Sequence, residues 1–190
     1  MACADRNLLW FGSTGRVDKV GVNGSNIARK NFKDKQFYTP ERNILNQLQR
    51  FPHKNLVQLL GFGSGYVDFE FVSSGTLGDL MCIQDRYTSF IGEDVQSMLI
   101  SCLEALEHFH RVIGRAHFDV KPTNILLTEE KTPKLCDFSN SRNPDSVSIL
   151  QGTFEYMPAE LFHGKMSKFS LEFTRSPSPS SVSSAVATPT

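Results

Sequence analysis

The chain has 190 residues, with 20 Lys and Arg against 20 Asp and Glu, so its formal net charge is zero. A neutral chain has no basic field for nucleic acid or an anionic membrane, and we expect neither as a partner. Hydrophobic residues make up 39% of the chain and charged residues 21%, which is typical of a soluble globular protein. The length suits one ordinary domain or two small lobes.

The cysteines and the apolar runs bear on the compartment. The four cysteines lie far apart and form no CxxC or Cys/His cluster, which argues against a disulfide framework or a zinc site. No stretch reaches the roughly 18 apolar residues that a membrane span needs, and the N-terminus lacks a signal-peptide pattern. We therefore expect reduced thiols and a cytoplasmic or nuclear protein.

The first third of the chain predicts strands with one helix. Over residues 8–60, short apolar runs alternate with glycines. Thr39 is the predicted N-cap of the helix and Pro40 its first position. The helix then places three apolar residues on one face: Ile44, Leu45 and Leu48. Further strands are predicted at about 56–62 and 66–72.

The pattern becomes helical over residues 75–113. A stripe with a spacing of three or four residues predicts an amphipathic helix whose apolar face packs into the core. Its members are Val95, Met98, Leu99, Cys102, Leu103, Leu106 and Phe109. Short strands are predicted near 125–128 and 134–136. Residues 170–190 are rich in Ser, Thr and Pro, and such a composition predicts disorder.

The strongest local signal is the run HFDVKPTNILL at residues 117–127, followed by DFS at 137–139. Phosphoryl transfer needs a carboxylate to orient the attacking hydroxyl and oxygen ligands to hold Mg²⁺ on the phosphates. Asp119 and Asn124 come from one loop, and Asp137 follows after a short predicted hairpin. An ordinary polar surface loop is the alternative interpretation of such residues.

These two blocks resemble the catalytic loop H-R-D-L-K-x-x-N and the D-F-G magnesium motif of the eukaryotic protein kinase family. The resemblance implies that Asp119 and Lys121 are catalytic, with Asp119 positioning the substrate hydroxyl and Lys121 close to the transferred phosphoryl group. It also implies that Asn124 and Asp137 are the metal ligands, and that the cofactors are ATP and Mg²⁺.

Other parts of the family pattern occur in the same order. The run IARK at residues 27–30 resembles V-A-I-K, which makes Lys30 the candidate for the α- and β-phosphates. The run GSTGRV at residues 12–17 resembles the later part of the Gly-rich loop, although Trp10 stands at its first glycine. The resemblance implies nucleotide binding by Gly12, Ser13 and Gly15. Turn-forming glycines and a solvated lysine are the alternatives.

Glu41 resembles the helix glutamate that pairs with the strand lysine in the family. The alternative is an acid that stabilises a helix N-terminus just after Pro40, without a catalytic role. Residues 69–72 resemble the hinge that holds adenine, with Phe69 as gatekeeper. The resemblance places these further residues around the nucleotide: Val17, Ala28, Glu70, Val72 and Leu126. A buried alternating strand explains residues 69–72 equally well.

The resemblance implies an α+β, protein-kinase-like bilobal fold. It divides the chain into a β-rich N-lobe with one helix over residues 8–72, an incomplete helical C-lobe over 73–165, and the tail. The run GTFEYMPAE at residues 152–160 resembles G-T-x-x-Y-M-A-P-E. Together with Lys121, Thr153 matches the serine/threonine version of these motifs. The implied function is transfer of the ATP γ-phosphate to Ser or Thr hydroxyls of protein substrates.

Three departures from the family pattern bear on activity. Phe118 replaces the arginine before the catalytic Asp, which argues against the usual control by activation-segment phosphorylation at Ser139, Ser141, Ser146 or Ser148. Ser139 also replaces the glycine of D-F-G. The later D-x-W-S-x-G signature is absent, because Trp10 is the only Trp, and we expect a truncated catalytic domain.

Such a truncation leaves the activity open at the level of the sequence. The predicted helix 94–110 would expose apolar surface for another kinase or a regulatory protein. A catalytically weak or inactive regulator that binds ATP or a partner kinase is therefore the alternative to an active kinase. A splice variant or gene fragment that does not fold alone is a third interpretation.

Overall fold

A computed structural model of the chain describes residues 7–82, 93–143 and Thr153. The described part is a mixed α+β structure. Its strands are β1 Leu8–Phe11, β2 Gly15–Val22, β3 Ser25–Phe32, β4 Leu59–Gly63, β5 Tyr66–Glu70, β6 Ile125–Leu127 and β7 Pro133–Leu135. Its helices are α1 Lys35–Arg50, α2 Leu77–Cys82 and α3 Glu93–His108, with a π-helical turn at Phe109–Ile113 and a 3-10 turn at Pro122–Asn124.

The first five strands form one antiparallel sheet in the order β1-β2-β3-β5-β4. Val17 pairs with Lys30 across β2 and β3, and Ala28 pairs with Phe69 across β3 and β5. Since directly opposed residues and residues two apart point to the same face, these four side chains share one face of the sheet. That face also carries Val67, which is fully buried.

Helix α1 begins earlier than the sequence predicts. Its N-cap is Asp34, whose side chain accepts a hydrogen bond from the backbone N–H of Gln36. The predicted N-cap at Thr39 and helix start at Pro40 are therefore wrong, and Pro40 lies inside the helix. Asp34 is as good an N-cap as Thr. Pro40 is the sixth residue of the helix, so it removes one internal backbone hydrogen bond, and α1 continues through it. The helix buries Ile44, Leu45 and Leu48 as predicted, together with Glu41.

The predicted strands of the first sheet are present with shorter or shifted bounds. β4 begins at Leu59 rather than near residue 56, and β5 ends at Glu70 rather than at 72. Just before β4, the chain lies outside this sheet and contacts β7 instead, through a parallel bridge between Leu56 and Leu135. This bridge ties the segment after α1 to the strand that leads into Asp137.

Helix α3 is present, but its apolar stripe is narrower than predicted. Met98, Cys102 and Phe109 are buried, whereas Leu99 is 56% exposed and Ile100 beside it is 43% exposed. Leu99 therefore contradicts the predicted core-facing stripe. The π-helical turn after α3 widens the spacing at the end of the stripe and places both Phe109 and Ile113 in the core.

One core runs through the described residues, from the sheet and α1 to α3 and the β6–β7 hairpin. Its most buried large side chains are Leu45, Val67, Phe109, Leu135 and Phe138. No helix among residues 7–82 and 93–143 is long and apolar enough to cross a membrane. The tail, Ser146, Ser148 and residues 152–160 other than Thr153 lie outside the described residues.

Candidate active site

Lys30 lies at the centre of three segments that are distant in sequence. It comes from β3, and its Nζ donates to both carboxylate oxygens of Glu41 on α1, at 2.9 and 2.7 Å. Nζ also donates to Asp137 Oδ1 at 2.9 Å. The side chains of Lys30 and Glu41 are 4% and 0% exposed. The predicted Lys30–Glu41 ion pair is therefore present, and Glu41 lies beyond the first turn of α1, where a helix-terminus role no longer applies.

The charges in this group shift one another's pKa. Burial alone would lower the pKa of Lys30, but the charges of Glu41 and Asp137 outweigh burial and raise it. Burial raises the pKa of Glu41, and the charge and hydrogen bonds of Lys30 act in the opposite direction. For Asp137, burial is outweighed by Lys30 and by a hydrogen bond from Ser139, and its pKa is lowered. Lys30 and Asp137 thus stay charged, and a cation faces a carboxylate at the site.

Asp119 and Asn124 are held against each other at the start of the β6–β7 hairpin. Asn124 ends the 3-10 turn, and its Nδ2 donates to the Asp119 carbonyl at 2.8 Å and to Asp119 Oδ2 at 3.1 Å. The Asn124 carbonyl accepts from the Cys136 N–H at 3.0 Å. Because Cys136 precedes Asp137, this backbone bond places the predicted catalytic residue and both predicted metal ligands at one end of the hairpin.

The Asp119 carboxylate also accepts from Thr153 and Lys121. Thr153 donates from its backbone N–H at 3.0 Å and from its hydroxyl at 2.7 Å, both to Oδ1. Lys121 Nζ lies 3.0 Å from Oδ2 and donates to the Thr153 hydroxyl at 2.8 Å. Burial would raise the pKa of Asp119, but these hydrogen bonds and the Lys121 charge lower it. Asp119 is therefore an ionised carboxylate.

His117 and Phe138 are buried next to the segments that carry Asp119 and Asp137. His117 Nδ1 accepts from the Asp119 N–H at 3.3 Å, so Nε2 carries the proton and donates to the Cys136 carbonyl at 3.0 Å. Burial lowers the pKa of His117 and keeps it neutral. The Phe138 ring lies 5.4 Å from the His117 ring and 5.2 Å from the ring of Phe109. The rings of His117 and Phe138 thus pack in one cluster with Phe109 on the π-helical turn.

Two residues at the site adopt a backbone conformation that L-amino acids rarely take. Phe118, just before Asp119, and Asp137 both have φ of 61°. A bulky residue in the left-handed region costs free energy and persists where the surroundings determine it. Such strain is characteristic of functional sites, and here it occurs at Asp137 itself and at the residue before Asp119.

The two predicted metal ligands fit Mg²⁺. Asn124 donates through Nδ2, which leaves its Oδ1 without a described donor. Asp137 accepts on Oδ1 from Lys30 and Ser139, which leaves Oδ2 without a described donor. Within the described residues, no group of three or more His, Cys, Asp and Glu is placed to hold a metal. One carboxylate with one amide oxygen suits Mg²⁺, which completes its coordination with water and phosphate.

In the structure, a hydrogen bond within the predicted phosphate loop joins Gly12 to Gly15. The Gly12 N–H donates to the Gly15 carbonyl at 3.0 Å, and the Gly12 carbonyl accepts from Lys33 Nζ at 2.6 Å. The Trp10 indole lies directly over Gly12, in the space that a Cβ there would need. Gly15 is buried against the backbone of Asn31. Gly15 thus needs to be glycine, because a Cβ there would meet the Asn31 backbone, whereas a Cβ at Gly12 would meet only the far end of the exposed Trp10 side chain. Ser13 is exposed at the tip.

The residues predicted around adenine lie at the sheet and the hairpin. Ala28 and Leu126 are partly buried and pack against the core. Val17 shares the sheet face of Ala28. The Glu70 carboxylate accepts from the Gln58 N–H and from Lys134 Nζ, both at 2.8 Å, so this side chain joins the sheet to β7. Val72, half-buried, follows the end of β5.

Sequence reasoning missed the direct contacts of three residues at the site. Thr153 indicates the substrate class in the sequence, and in the structure its hydroxyl also bonds Asp119. The Ser139 hydroxyl donates to Asp137 Oδ1 at 2.8 Å, and Asn140 Nδ2 lies 3.4 Å from Asp119 Oδ2. The position of Ser139 two residues after Asp137 was the available signal, since serine often bonds a near neighbour. No sequence signal pointed to Asn140.

The arginine that Phe118 replaces has a partial counterpart in space. The Arg142 guanidinium lies 5.9 Å from the centroid of the Phe118 ring, and Arg142 pairs with Ala116 through two backbone hydrogen bonds. A positive charge is therefore present beside the catalytic loop, although it comes from the segment after Asp137. This contact is a cation–π interaction near the limit of its range, and Arg142 is half-buried.

The structure combines an antiparallel sheet and one helix with a hairpin region that carries Asp119, Asn124 and Asp137. The buried Lys30 ion pairs join these parts. This combination defines the kinase class of phosphotransferase folds. Residues 7–172 match the family described as protein kinase domain. The chain belongs to this family, and its fold is the α+β protein kinase fold.

Similar proteins include a probable serine/threonine-protein kinase of Dictyostelium discoideum, 28% identical over 83% of this chain and 17% of the relative. A probable LIM domain-containing serine/threonine-protein kinase of the same organism is 29% identical over 83% of this chain and 26% of the relative. A PR5-like receptor kinase of Arabidopsis thaliana is 31% identical over 82% and 26%. The chain thus spans about a quarter or less of the length of these relatives.

Proposed function

We propose that the chain is a serine/threonine protein kinase that transfers the γ-phosphate of ATP, with Mg²⁺, to hydroxyl groups of protein substrates. The observation that carries the proposal is the position of Lys30, which joins Glu41 and Asp137 across three segments. Burying a charged lysine between two carboxylates costs free energy, and such groups cluster at functional sites, where a task needs the charge. Membership of the protein kinase domain family supplies that task.

Lys30 is suited to hold the phosphates of the nucleotide. Its raised pKa keeps Nζ charged, and Glu41 fixes its direction from the buried side. Asn124 Oδ1 and Asp137 Oδ2 are the oxygens that would hold Mg²⁺. When bound, Mg²⁺ neutralises charge on the phosphates and aligns the γ-phosphate. Val17, Ala28 and Leu126 are proposed to contact the adenine ring from the sheet and the hairpin, and the backbone at Glu70 and Val72 to bond its edge.

Asp119 is suited to orient the hydroxyl of the substrate. Its lowered pKa keeps it ionised, so it accepts a hydrogen bond from the hydroxyl and takes up the proton as the oxygen–phosphorus bond forms. The bond between the γ-phosphorus and the β–γ bridging oxygen breaks in the same step, and ADP leaves. In the structure, Thr153 occupies Oδ1 of Asp119. A substrate hydroxyl has to share or replace that bond.

Lys121 and Thr153 support the serine/threonine substrate class. Lys121 Nζ contacts both Asp119 and Thr153, so it places a positive charge beside the hydroxyl that is to react. Such a charge stabilises the phosphoryl group as it moves. Two of the three relatives described above are named as serine/threonine-protein kinases. The exposed Leu99 and Ile100 on α3 offer a surface for a protein partner.

Transfer of labelled phosphate tests the proposal directly. The 190-residue chain is incubated with γ-labelled ATP, Mg²⁺ and a mixture of basic proteins, followed by phosphoamino-acid analysis. Label on phosphoserine and phosphothreonine is the expected result. Label on phosphotyrosine alone would contradict the substrate class. Mg²⁺-dependent ATP binding in calorimetry without any transfer would instead favour a regulator that binds ATP without turnover.

A further inference from the structure

We propose that Ser139 is a positioning residue, whose hydroxyl holds one oxygen of Asp137 so that the other faces the Mg²⁺–nucleotide complex. The inference rests on the proposed function and extends it to a residue outside the predicted site set. Ser139 stands where the family motif has glycine. Its hydroxyl is therefore a feature of this chain and not of the motif that the chain resembles.

The two carboxylate oxygens of Asp137 differ in their hydrogen-bond partners. Oδ1 accepts from Ser139 Oγ at 2.8 Å and from Lys30 Nζ at 2.9 Å. Oδ2 has no donor among the described residues. A carboxylate held at one oxygen keeps its orientation, and its free oxygen then points in one direction. Hydrogen-bonded partners of this kind orient metal ligands in general.

Ser139 holds Asp137 in a way that Lys30 does not. Lys30 is shared with Glu41, to which it donates twice. In the proposed function Lys30 also turns towards the phosphates, which weakens its hold on Asp137. Ser139 lies two residues from Asp137 in the same segment, and its bond to Oδ1 involves no atom of Lys30. The hydroxyl is thus a second donor to Oδ1, separate from the ammonium group.

The backbone conformation at Ser139 favours a role for its side chain rather than for a turn at this position. Asp137 has φ of 61°, whereas Ser139 is absent from the described residues with positive φ. The conformation at residue 139 therefore does not require glycine, and serine occupies it without strain. The surroundings of Asp137 already fix its strained backbone. The hydrogen bond from Ser139 adds a second restraint, which limits rotation of the carboxylate.

Binding of Mn²⁺, read by electron paramagnetic resonance, tests the role without relying on turnover. The full chain is saturated with ADP and titrated with Mn²⁺, as are Ser139→Ala and Ser139→Thr. We expect Ser139→Ala to weaken Mn²⁺ binding about tenfold, because the carboxylate loses its orienting partner. Ser139→Thr retains the hydroxyl and is expected to restore binding. Ser139→Gly removes the hydroxyl a second way, should the alanine variant fail to fold.

Ser73→Ala is the matched control, since within the described residues the Ser73 hydroxyl bonds the exposed Glu129 carboxylate, at 3.2 Å. It is expected to bind Mn²⁺ like the wild type. Unchanged Mn²⁺ binding in a folded Ser139→Ala or Ser139→Gly would overturn the positioning role and leave the proposed function intact. A wild-type chain that binds no Mn²⁺ together with ADP would overturn both.

Discussion

Lys30 and Glu41 form a buried ion pair, with Nζ 2.7 Å from Oε2, that joins the central strand β3 to helix α1. The pair has almost no contact with solvent, so neither charge can be compensated by water if its partner is lost. Asp137 is the remaining charge next to Lys30, at 2.9 Å. The same ammonium group therefore contacts both helix α1 and the candidate metal ligand.

Removal of Glu41 tests the energy of this pair. Glu41→Leu leaves Lys30 buried with only Asp137 as partner, and we expect a loss of about 3 kcal/mol in the free energy of unfolding. The double variant Lys30→Met/Glu41→Leu is expected to be less destabilised than the sum of the single changes. Urea denaturation of the four proteins measures the coupling.

The partly exposed Arg29–Asp68 pair, at 2.7 Å, is the control for this cycle. Its coupling is expected to lie below about 1 kcal/mol, as is usual for pairs near the surface. Strictly additive single changes at Lys30 and Glu41 would show that the buried pair has no special energetic role.

The start of helix α1 gives a second prediction. Asp34→Ala removes the side chain that caps the Gln36 N–H and is expected to cost about 1 kcal/mol. Thr39→Ala changes an exposed residue inside the helix and is expected to leave stability nearly unchanged. Thermal or chemical denaturation compares the two variants. A larger loss for Thr39→Ala than for Asp34→Ala would place the helix start at residue 39 after all.

The packing below the site gives a third prediction. Phe138 is completely buried and stacks on Phe109 at 5.2 Å. Phe138→Ala leaves a cavity there and is expected to cost about 3–5 kcal/mol, whereas Phe138→Leu fills most of it and costs less. Phe51→Ala serves as control, because the Phe51 side chain is 52% exposed. Equal losses for Phe51→Ala and Phe138→Ala would contradict the described core.

The cysteines give a fourth prediction, on the reactivity of their thiols. Burial raises the pKa of Cys102 to about 11 and that of Cys136 to about 12. A raised thiol pKa means less of the reactive thiolate at a given pH, so both should resist iodoacetamide at pH values near 8. Cys82 is exposed and should react faster than Cys102 and Cys136. Peptide mass spectrometry identifies each thiol, and the unfolded chain in urea, where all should react, is the control. Rapid labelling of Cys136 in the folded chain would contradict its burial.

The sequence predicted much of the site, for physical reasons that can be named. The two carboxylate blocks at Asp119 and Asp137 lie close in sequence, and a short hairpin between them leaves few ways to arrange them. The Lys30–Glu41 pair was predicted only through the order of motifs, since nothing in the residues themselves shows which acid faces a strand lysine. It is confirmed by the 2.7 Å contact.

Other features depend on choices that local sequence does not determine. Asp34 and Thr39 are both acceptable N-caps, and the packing of Phe37 and Tyr38 into the structure favours the earlier one. The exposure of Leu99 follows from which elements cover α3, which periodicity does not reveal. The contact of Thr153 with Asp119 joins residues far apart in sequence, and only the folded chain brings them together.

Phosphate transfer by the full chain, compared with transfer by Asp119→Asn, tests the central claim most directly. The substitution keeps the shape of the side chain and removes the charge that orients the hydroxyl. A folded Asp119→Asn variant is expected to lose at least about a hundredfold in transfer rate, while still binding ATP with Mg²⁺. Equal transfer by the two proteins would show that the activity does not come from this site.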